Sequence, residues 1–208
     1  MSFEIEFKSF VITIDQYLKD FNDSRLKPFL QEWPAASFKM RQTSPNQLPV
    51  LSYLSAAINA AHDDARHIIE MLISLSSKLT WGQTYMAADF GSQFLLRYGW
   101  TELIGLRGPI PSKRIACGFL LLGPDVEYPR HSHAAREIYV PMTEGALWQR
   151  GNHAWTGGAA GKPRQHASWE WHAMRTDSQP LLALYLWQDG DLVQKSRIEK
   201  ISDHPLNG

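Results

Sequence analysis

From Tyr128 to Tyr139 the chain reads Tyr-Pro-Arg-His-Ser-His-Ala-Ala-Arg-Glu-Ile-Tyr. This places two imidazoles, His131 and His133, close ahead of a carboxylate, Glu137, and a phenol, Tyr139. Residues i and i+2 of a strand share a face, so His131 and His133 project together. Glu137 and Tyr139 do the same if Ala134–Arg136 turn the chain between two strands. His172 follows a further strand-length run and a glycine-rich loop, and could return to the same place as a third imidazole; His166, just before it, could occupy the same end of a barrel. Imidazole and carboxylate donors suit zinc, iron, manganese, cobalt or nickel, and a His, His, Glu and His set leaves positions open on an octahedral ion. One divalent transition metal, with zinc, iron and manganese foremost, is the expected cofactor, and the donor types do not choose among these. A lone histidine in a β protein is more often a hydrogen-bonded core or surface residue, but a His-x-His followed by Glu at this spacing is far more specific. His62 and His67 are not at the i, i+4 ligand spacing and are expected on the solvent side of a helix. His153 is expected in a loop and His204 in a polar, solvated tail.

These donors need elements to position them, and the chain changes texture along its length. From about Phe3 to Leu79 the apolar residues recur at helical intervals. One stripe is Val11, Ile14, Leu18 and Phe21; a longer one runs Leu51, Leu54, Ile58, Ala61, Ala65, Ile68, Leu72, Leu75 and Leu79, with Pro49 placed for its first turn. Three or four helices are expected. After Trp81, short runs rich in Phe, Leu, Ile, Val, Tyr and Trp (FLLRYGW, TELIGLRGPIP, RIACGFLLLGP, EIYVPMTEG, ALWQRGNHAW, LLALYLWQDG) are separated by Gly and Pro. That spacing predicts an antiparallel sandwich or small barrel. The reading is therefore α+β: an N-terminal helical region over 1–85 packed on a β-barrel domain over 86–208 that carries the metal site.

Composition narrows the function classes. The 208 residues are 44% hydrophobic, enough for a core, and carry 21 basic against 21 acidic residues. No global positive field exists to hold phosphates, which excludes nucleic acid as an expected partner. There is no run of about 18 uncharged apolar residues, and Glu4, Glu6 and Lys8 interrupt the N-terminus where a signal peptide would need an apolar stretch. A soluble cytoplasmic protein with no membrane partner is expected. Cys117 is the only cysteine, so an intrachain disulfide and a CxxC motif are excluded and any metal site must use nitrogen and oxygen. Within its apolar run Cys117 is expected to be buried and inert.

His131-x-His133-x3-Glu137, closed by Gly145, resembles the first cupin motif, and Pro163 to His172 takes the place of the second. A closer similarity is to the cupin-type dimethylsulfoniopropionate lyases, in which an HxHxxxExY segment precedes an HxSxxxHAM-like one. Here the latter reads His166-Ala-Ser168-Trp-Glu-Trp-His172-Ala-Met174, followed by LALYLW at Leu182 to Trp187 and KSRI at Lys195 to Ile198. The resemblance covers roughly Phe94 to Ile198. It implies a double-stranded antiparallel β-helix, or jelly-roll, barrel. It further implies a metal held by His131, His133, Glu137 and His172, Tyr139 as general base, and Tyr128 and Trp187 lining the substrate pocket. The implied activity is that of a carbon–sulfur lyase, converting dimethylsulfoniopropionate to dimethyl sulfide and acrylate by β-elimination. The sequence departs from many cupins at Lys162-Pro163-Arg164, which replaces a Pro-Gly-Asp turn before His166.

Such a substrate is a zwitterion, and its soft cationic end suits aromatic faces, at about 0.5–2 kcal/mol each, without a carboxylate that would trap it. Trp148, Trp155, Trp169 and Trp171 are expected in the core or at the rim, and Met142 and Met174 as packing residues. Arg130 and Arg136, of opposite parity to the histidines, are expected at the surface. Two other functions compete with the lyase: an iron-dependent cupin dioxygenase acting on a small thiol or diketone, and a non-catalytic cupin that binds a small molecule. A homodimer is also expected, as for many closed small-molecule barrels.

Overall fold

The structure, a computed structural model, describes residues 2–199; His204 lies outside the described residues. The helical spacing of the N-terminal half produces α1 (Phe3–Asp20), α2 (Lys27–Gln31), α3 (Leu54–Ala57) and α4 (Asp63–Leu75). Helix α1 buries Phe7, Phe10, Val11, Ile14 and Leu18 on one face, with Glu4 and Glu6 in its first turn and Lys19 in its last, matching the helix dipole. The long stripe expected from Leu51 to Leu79 is not one helix. A 3-10 turn at Pro49–Tyr53 leads into α3, and the helix stops before α4 begins at Asp63. The break has a tertiary cause: the His62 N–H donates to Met142 O at 3.0 Å, and the Glu144 N–H donates to Ala60 O at 2.9 Å. Backbone at 60–62 pairs with a loop of the β half instead of with its own helix. Among the described residues no helix is long and apolar enough to cross a membrane.

The β half contains β1 (Trp81–Gly82), β2 (Tyr98–Gly105), β3 (Ile110–Pro111), β4 (Ile115–Leu122), β5 (Glu127–Ser132) and β6 (Arg136–Pro141). It continues with β7 (Leu147–Arg150), β8 (Thr156–Gly157), β9 (Arg164–His166), β10 (His172–Arg175), β11 (Leu181–Gln188) and β12 (Arg197–Ile198). One expected strand is split: in FLLRYGW, Phe94–Leu96 complete a fifth helix, α5 (Ala87–Leu96), and the strand starts at Tyr98. Two sheets result. The larger has the order β1-β2-β4-β11-β6-β9 with β3 beside β2, and the smaller has the order β12-β5-β10-β7-β8.

The larger sheet is covered on both faces, which explains why β4 and β11 read as nearly continuous apolar runs. Its outer face, with Leu103, Cys117, Phe119, Leu121, Ile138 and Leu184, shares one core with Phe10, Ile14, Ile68 and Leu72 of α1 and α4. Phe10 and Phe119 stack at 5.8 Å. Its inner face, with Tyr98, Leu120, Tyr139 and Tyr185, meets Tyr128, Trp148 and Met174 of the smaller sheet in a second core. Cys117 is fully buried on the outer face, and burial pushes its thiol pKa up, so it stays protonated and unreactive. Because helices and sheet share a core, Phe119→Ala should lower the unfolding free energy by about 3–5 kcal/mol. Helical circular dichroism and tryptophan fluorescence of the variant should be lost in one coincident denaturant transition; two separated transitions would show that the halves fold independently.

Candidate active site

Strands β5 and β6 follow one another in sequence but belong to opposite sheets, so the turn at Ala134–Ala135 carries the chain across the barrel mouth. His131 lies on β5 opposite His172 of β10, and His133 stands just beyond the end of β5. Glu137 lies on β6, between His166 of β9 and Trp187 of β11. One ring nitrogen from each of His131, His133 and His172 falls within a common 4.8 Å, and all three residues are buried. Glu137 Oε2 is 3.1 Å from His133 Nε2 and 3.2 Å from His172 Nε2.

Hydrogen bonds fix what these nitrogens can do. His131 Nδ1 meets Pro129 O at 2.8 Å, His133 Nδ1 meets Ala135 O at 2.9 Å, and His172 Nδ1 meets Glu170 O at 2.8 Å. A carbonyl only accepts, so each Nδ1 carries the hydrogen and a neutral ring turns its Nε2 lone pair inward. Burial, followed by the neighbouring His172 and His133, holds the His131 pKa well below the usual range for histidine. Burial raises the Glu137 pKa, and His133 and His172 hold the carboxyl well below its usual range only when they carry a proton at Nε2; neutral rings give no such compensation. Lone pairs and a carboxylate oxygen therefore face one another, and His172 Nε2 has no hydrogen-bond partner among the described residues although it is buried. Acceptors converging in this way fit a metal ion, and the three buried histidines could bind one.

Aromatic rings brace this group. Trp187 stacks on His133 with centroids 4.2 Å apart and donates its indole N–H to Glu137 Oε1 at 2.5 Å. Tyr128 stacks on His131 at 3.9 Å, and its hydroxyl is 3.0 Å from that of Tyr85. Strict alternation would put Tyr128 and His131, three residues apart, on opposite faces. A β-bulge reconciles them: His172 pairs with His131 but Met174 pairs with Tyr128, so β5 carries an extra residue around Pro129. His166 stacks on His172 at 4.2 Å with nearly parallel planes, outside the trio, and neither of its nitrogens has a partner among the described residues. Tyr139 shares the inner face of β6 with Glu137, and burial followed by the Glu137 charge raises its pKa well above that of a free phenol.

A cavity of about 290 Å³ opens between the sheets. Its lining includes Tyr128, Glu137, Tyr139 and Trp187 and, from β2, which β4 and β11 separate from β6 in the larger sheet, Trp100 and Glu102. Arg130 and Arg136 do not line it: Arg130 pairs with Glu199 at 3.3 Å and Arg136 with Asp189 at 3.2 Å, each half-buried rather than free at the surface. Trp148 is buried in the barrel core, Trp155 and Trp171 are half-buried, and Trp169 is exposed. Met142 and Met174 are both fully buried. His62 precedes α4 rather than lying on it, His67 is exposed, and His153 lies in a loop. Before β9, Gly161 takes a left-handed φ of 69° and donates its N–H to Pro141 O at 2.8 Å, which shapes the Lys162-Pro163-Arg164 approach to His166. Glu102 was not singled out from the sequence. The available signal was one acid inside the otherwise apolar strand TELIG.

Two antiparallel sheets whose mouth gathers a His-x-His-x3-Glu segment and a third histidine from a returning strand define a cupin. The family model for dimethylsulfoniopropionate lyase matches residues 27–183. Dimethylsulfoniopropionate lyase DddQ of Ruegeria pomeroyi is 28% identical over 156 residues, which cover 75% of this chain and 77% of that protein. The crystal structure of DddQ from Ruegeria pomeroyi DSS-3 superposes with a TM-score of 0.73 at 26% identity, covering 89% of this chain and 95% of that one. A crystal structure from a study of the DMSP lyases RdDddP and RnDddQII gives a TM-score of 0.86 at 24% identity, covering 96% of this chain and all of that one, and shows the shared fold. The chain belongs to the dimethylsulfoniopropionate lyase family and is thereby a carbon–sulfur lyase.

The position of the imidazoles yields a direct test. His172→Ala should abolish stoichiometric uptake of a divalent metal, measured by elemental analysis after gel filtration, whereas His166→Ala should retain it. The opposite result would transfer the third imidazole to His166.

Proposed function

We propose that this protein cleaves dimethylsulfoniopropionate to dimethyl sulfide and acrylate by metal-assisted β-elimination, with Tyr139 as the general base. The observation that carries the reading is the pairing, on one strand face and in one cavity, of the Tyr139 phenol with the Glu137 carboxylate of the His131, His133 and His172 cluster. The relatives named for this substrate support its identity.

His131, His133, Glu137 and His172 would hold the ion through three Nε2 atoms and a carboxylate oxygen. A divalent cation bound there supplies Lewis acidity toward the substrate carboxylate and a positive charge that favours the phenolate form of Tyr139. That charge matters because the protein alone drives the phenol pKa upward. Tyr139 Oη accepts the proton alpha to the carboxylate. The electron pair of that C–H bond forms the new double bond, and the C–S pair leaves on sulfur, giving neutral dimethyl sulfide, acrylate and a protonated tyrosine. Trp187 and Tyr128 serve twice: each lines the cavity with an aromatic face suited to a sulfonium, and each braces a metal-binding side chain. Burial of the cluster keeps bulk water from the reacting atoms.

Removing the base should remove turnover without removing the metal. Tyr139→Phe is expected to cut release of dimethyl sulfide, measured by headspace gas chromatography on metal-loaded protein, by about 10²–10⁴-fold at unchanged metal content. Near-wild-type release would end the assignment of Tyr139 as base.

A further inference from the structure

The end of the cavity away from the histidines has a chemistry of its own. Strand register sets Glu102 of β2 opposite Gly118 of β4, Gly118 opposite Tyr185 of β11, and Tyr185 opposite Tyr139 of β6. These four residues form one row across the inner face of the larger sheet, spanning about 14 Å at the usual ~4.8 Å between strands. Gly118 adds no side chain to the row, and a Cβ there would run into the backbone of Thr101 and Glu102. Tyr185 is thus the one side chain in the row between Glu102 and Tyr139.

Glu102 is only 5% exposed yet lines the cavity. Its carboxylate is locked in place: Oε1 accepts the peptide N–H of Arg107 at 2.5 Å and of Gly108 at 2.8 Å. Gly105, at φ 143°, leaves the room this requires, since a Cβ there would lie 2.5 Å from the same oxygen. The nearby guanidinium groups are turned to other partners. Arg107 donates to Val193 O at 2.7 Å and lies 5.3 Å from the Trp100 ring, and Arg41 donates to Gly108 O at 2.8 Å. Among the described residues no lysine or arginine nitrogen forms an ion pair with Glu102 within 4.0 Å. Burial outweighs the two peptide N–H groups and the more distant Arg107 and Arg41, which pull the other way, and leaves the Glu102 pKa above the usual carboxylate value. An ionised Glu102, hydrogen-bonded by peptide groups and not by a side-chain cation, adds negative charge that a low-dielectric cavity transmits over several ångströms, offset in part by Arg107 and Lys195, which also line the cavity.

We propose that Glu102 is a specificity-determining residue whose negative charge, at the end of the cavity opposite the histidines, orients the zwitterionic substrate and selects its sulfonium over a neutral group of the same shape. The proposal rests on the lyase reading and extends it. It also revises the expectation that the sulfonium site would lack a carboxylate: Glu102 is set back along the row, so it attracts the cation without an ion pair that would trap it.

The test uses two isosteres that differ only in charge, 3-(trimethylammonio)propionate and 4,4-dimethylpentanoate, as inhibitors of metal-loaded protein. In Glu102→Gln, which keeps an acceptor for the two N–H groups, KM for dimethylsulfoniopropionate and Ki for the cationic isostere should each rise about tenfold, with Ki for the neutral one within about twofold of wild type and kcat changed less than KM. Equal shifts for both isosteres would reduce Glu102 to a structural support and overturn the proposal, as would no shift in either. If Glu102→Gln does not fold, Arg107→Gln decides, since removing a positive charge from that end should increase the preference for the cation; an unchanged ratio overturns the proposal. Failure of the lyase reading looks different. Wild-type protein would then release no dimethyl sulfide, and the assignment of Glu102 would fall with it.

Discussion

The structure turns on three hydrogen bonds from imidazole Nδ1 atoms to backbone carbonyls. They commit His131, His133 and His172 to one tautomer and turn three lone pairs into one buried cluster, two of them within 3.2 Å of the Glu137 carboxylate. Such an arrangement is repulsive until a cation enters, so the frame around it must resist collapse and rearrangement. The two sheets provide that frame. The smaller supplies His131 and His172 from adjacent strands, the larger supplies Glu137, and the short turn between β5 and β6 ties them together at the mouth.

Rigidity of the larger sheet comes in turn from outside the barrel. Its outer face is not solvated but packed against α1 and α4, so its central strands are fixed on both sides. The inner face can then devote side chains to the cavity, including tyrosines and a glutamate that would weaken a sheet relying on that face for its core. The helical segment therefore contributes to the chemistry without placing a side chain among the histidines.

Much of the site was legible in the sequence because it is local. The spacing of His131, His133, Glu137 and Tyr139 encodes which side chains share a face, and the strand-turn-strand reading matches β5 and β6. What the sequence hid depends on contacts between distant segments. Tyr128 faces with His131 only because of the bulge near Pro129, which alternation cannot foresee. The division of labour between His166 and His172 depends on which one pairs across to β5. The hydrogen bond of Trp187 to Glu137 links residues fifty positions apart. In the helical half, the stripe from Leu51 to Leu79 satisfies a single helix, and only the pairing of its backbone with the β half breaks it. Glu102 escaped notice because one acid in an apolar strand has no periodicity to reveal it.

The stacking of Phe10 on Phe119 also bears on the protein's history. A barrel whose outer wall is a phenylalanine and leucine surface cannot be exchanged by recombination as a free-standing cassette. A crossover between the halves would leave Phe119, Leu121 and Leu184 without their covering and α1 without its floor. A change in the size of a residue on α1 or α4 therefore falls directly against the sheet that carries the candidate site, and calls for a compensating change there.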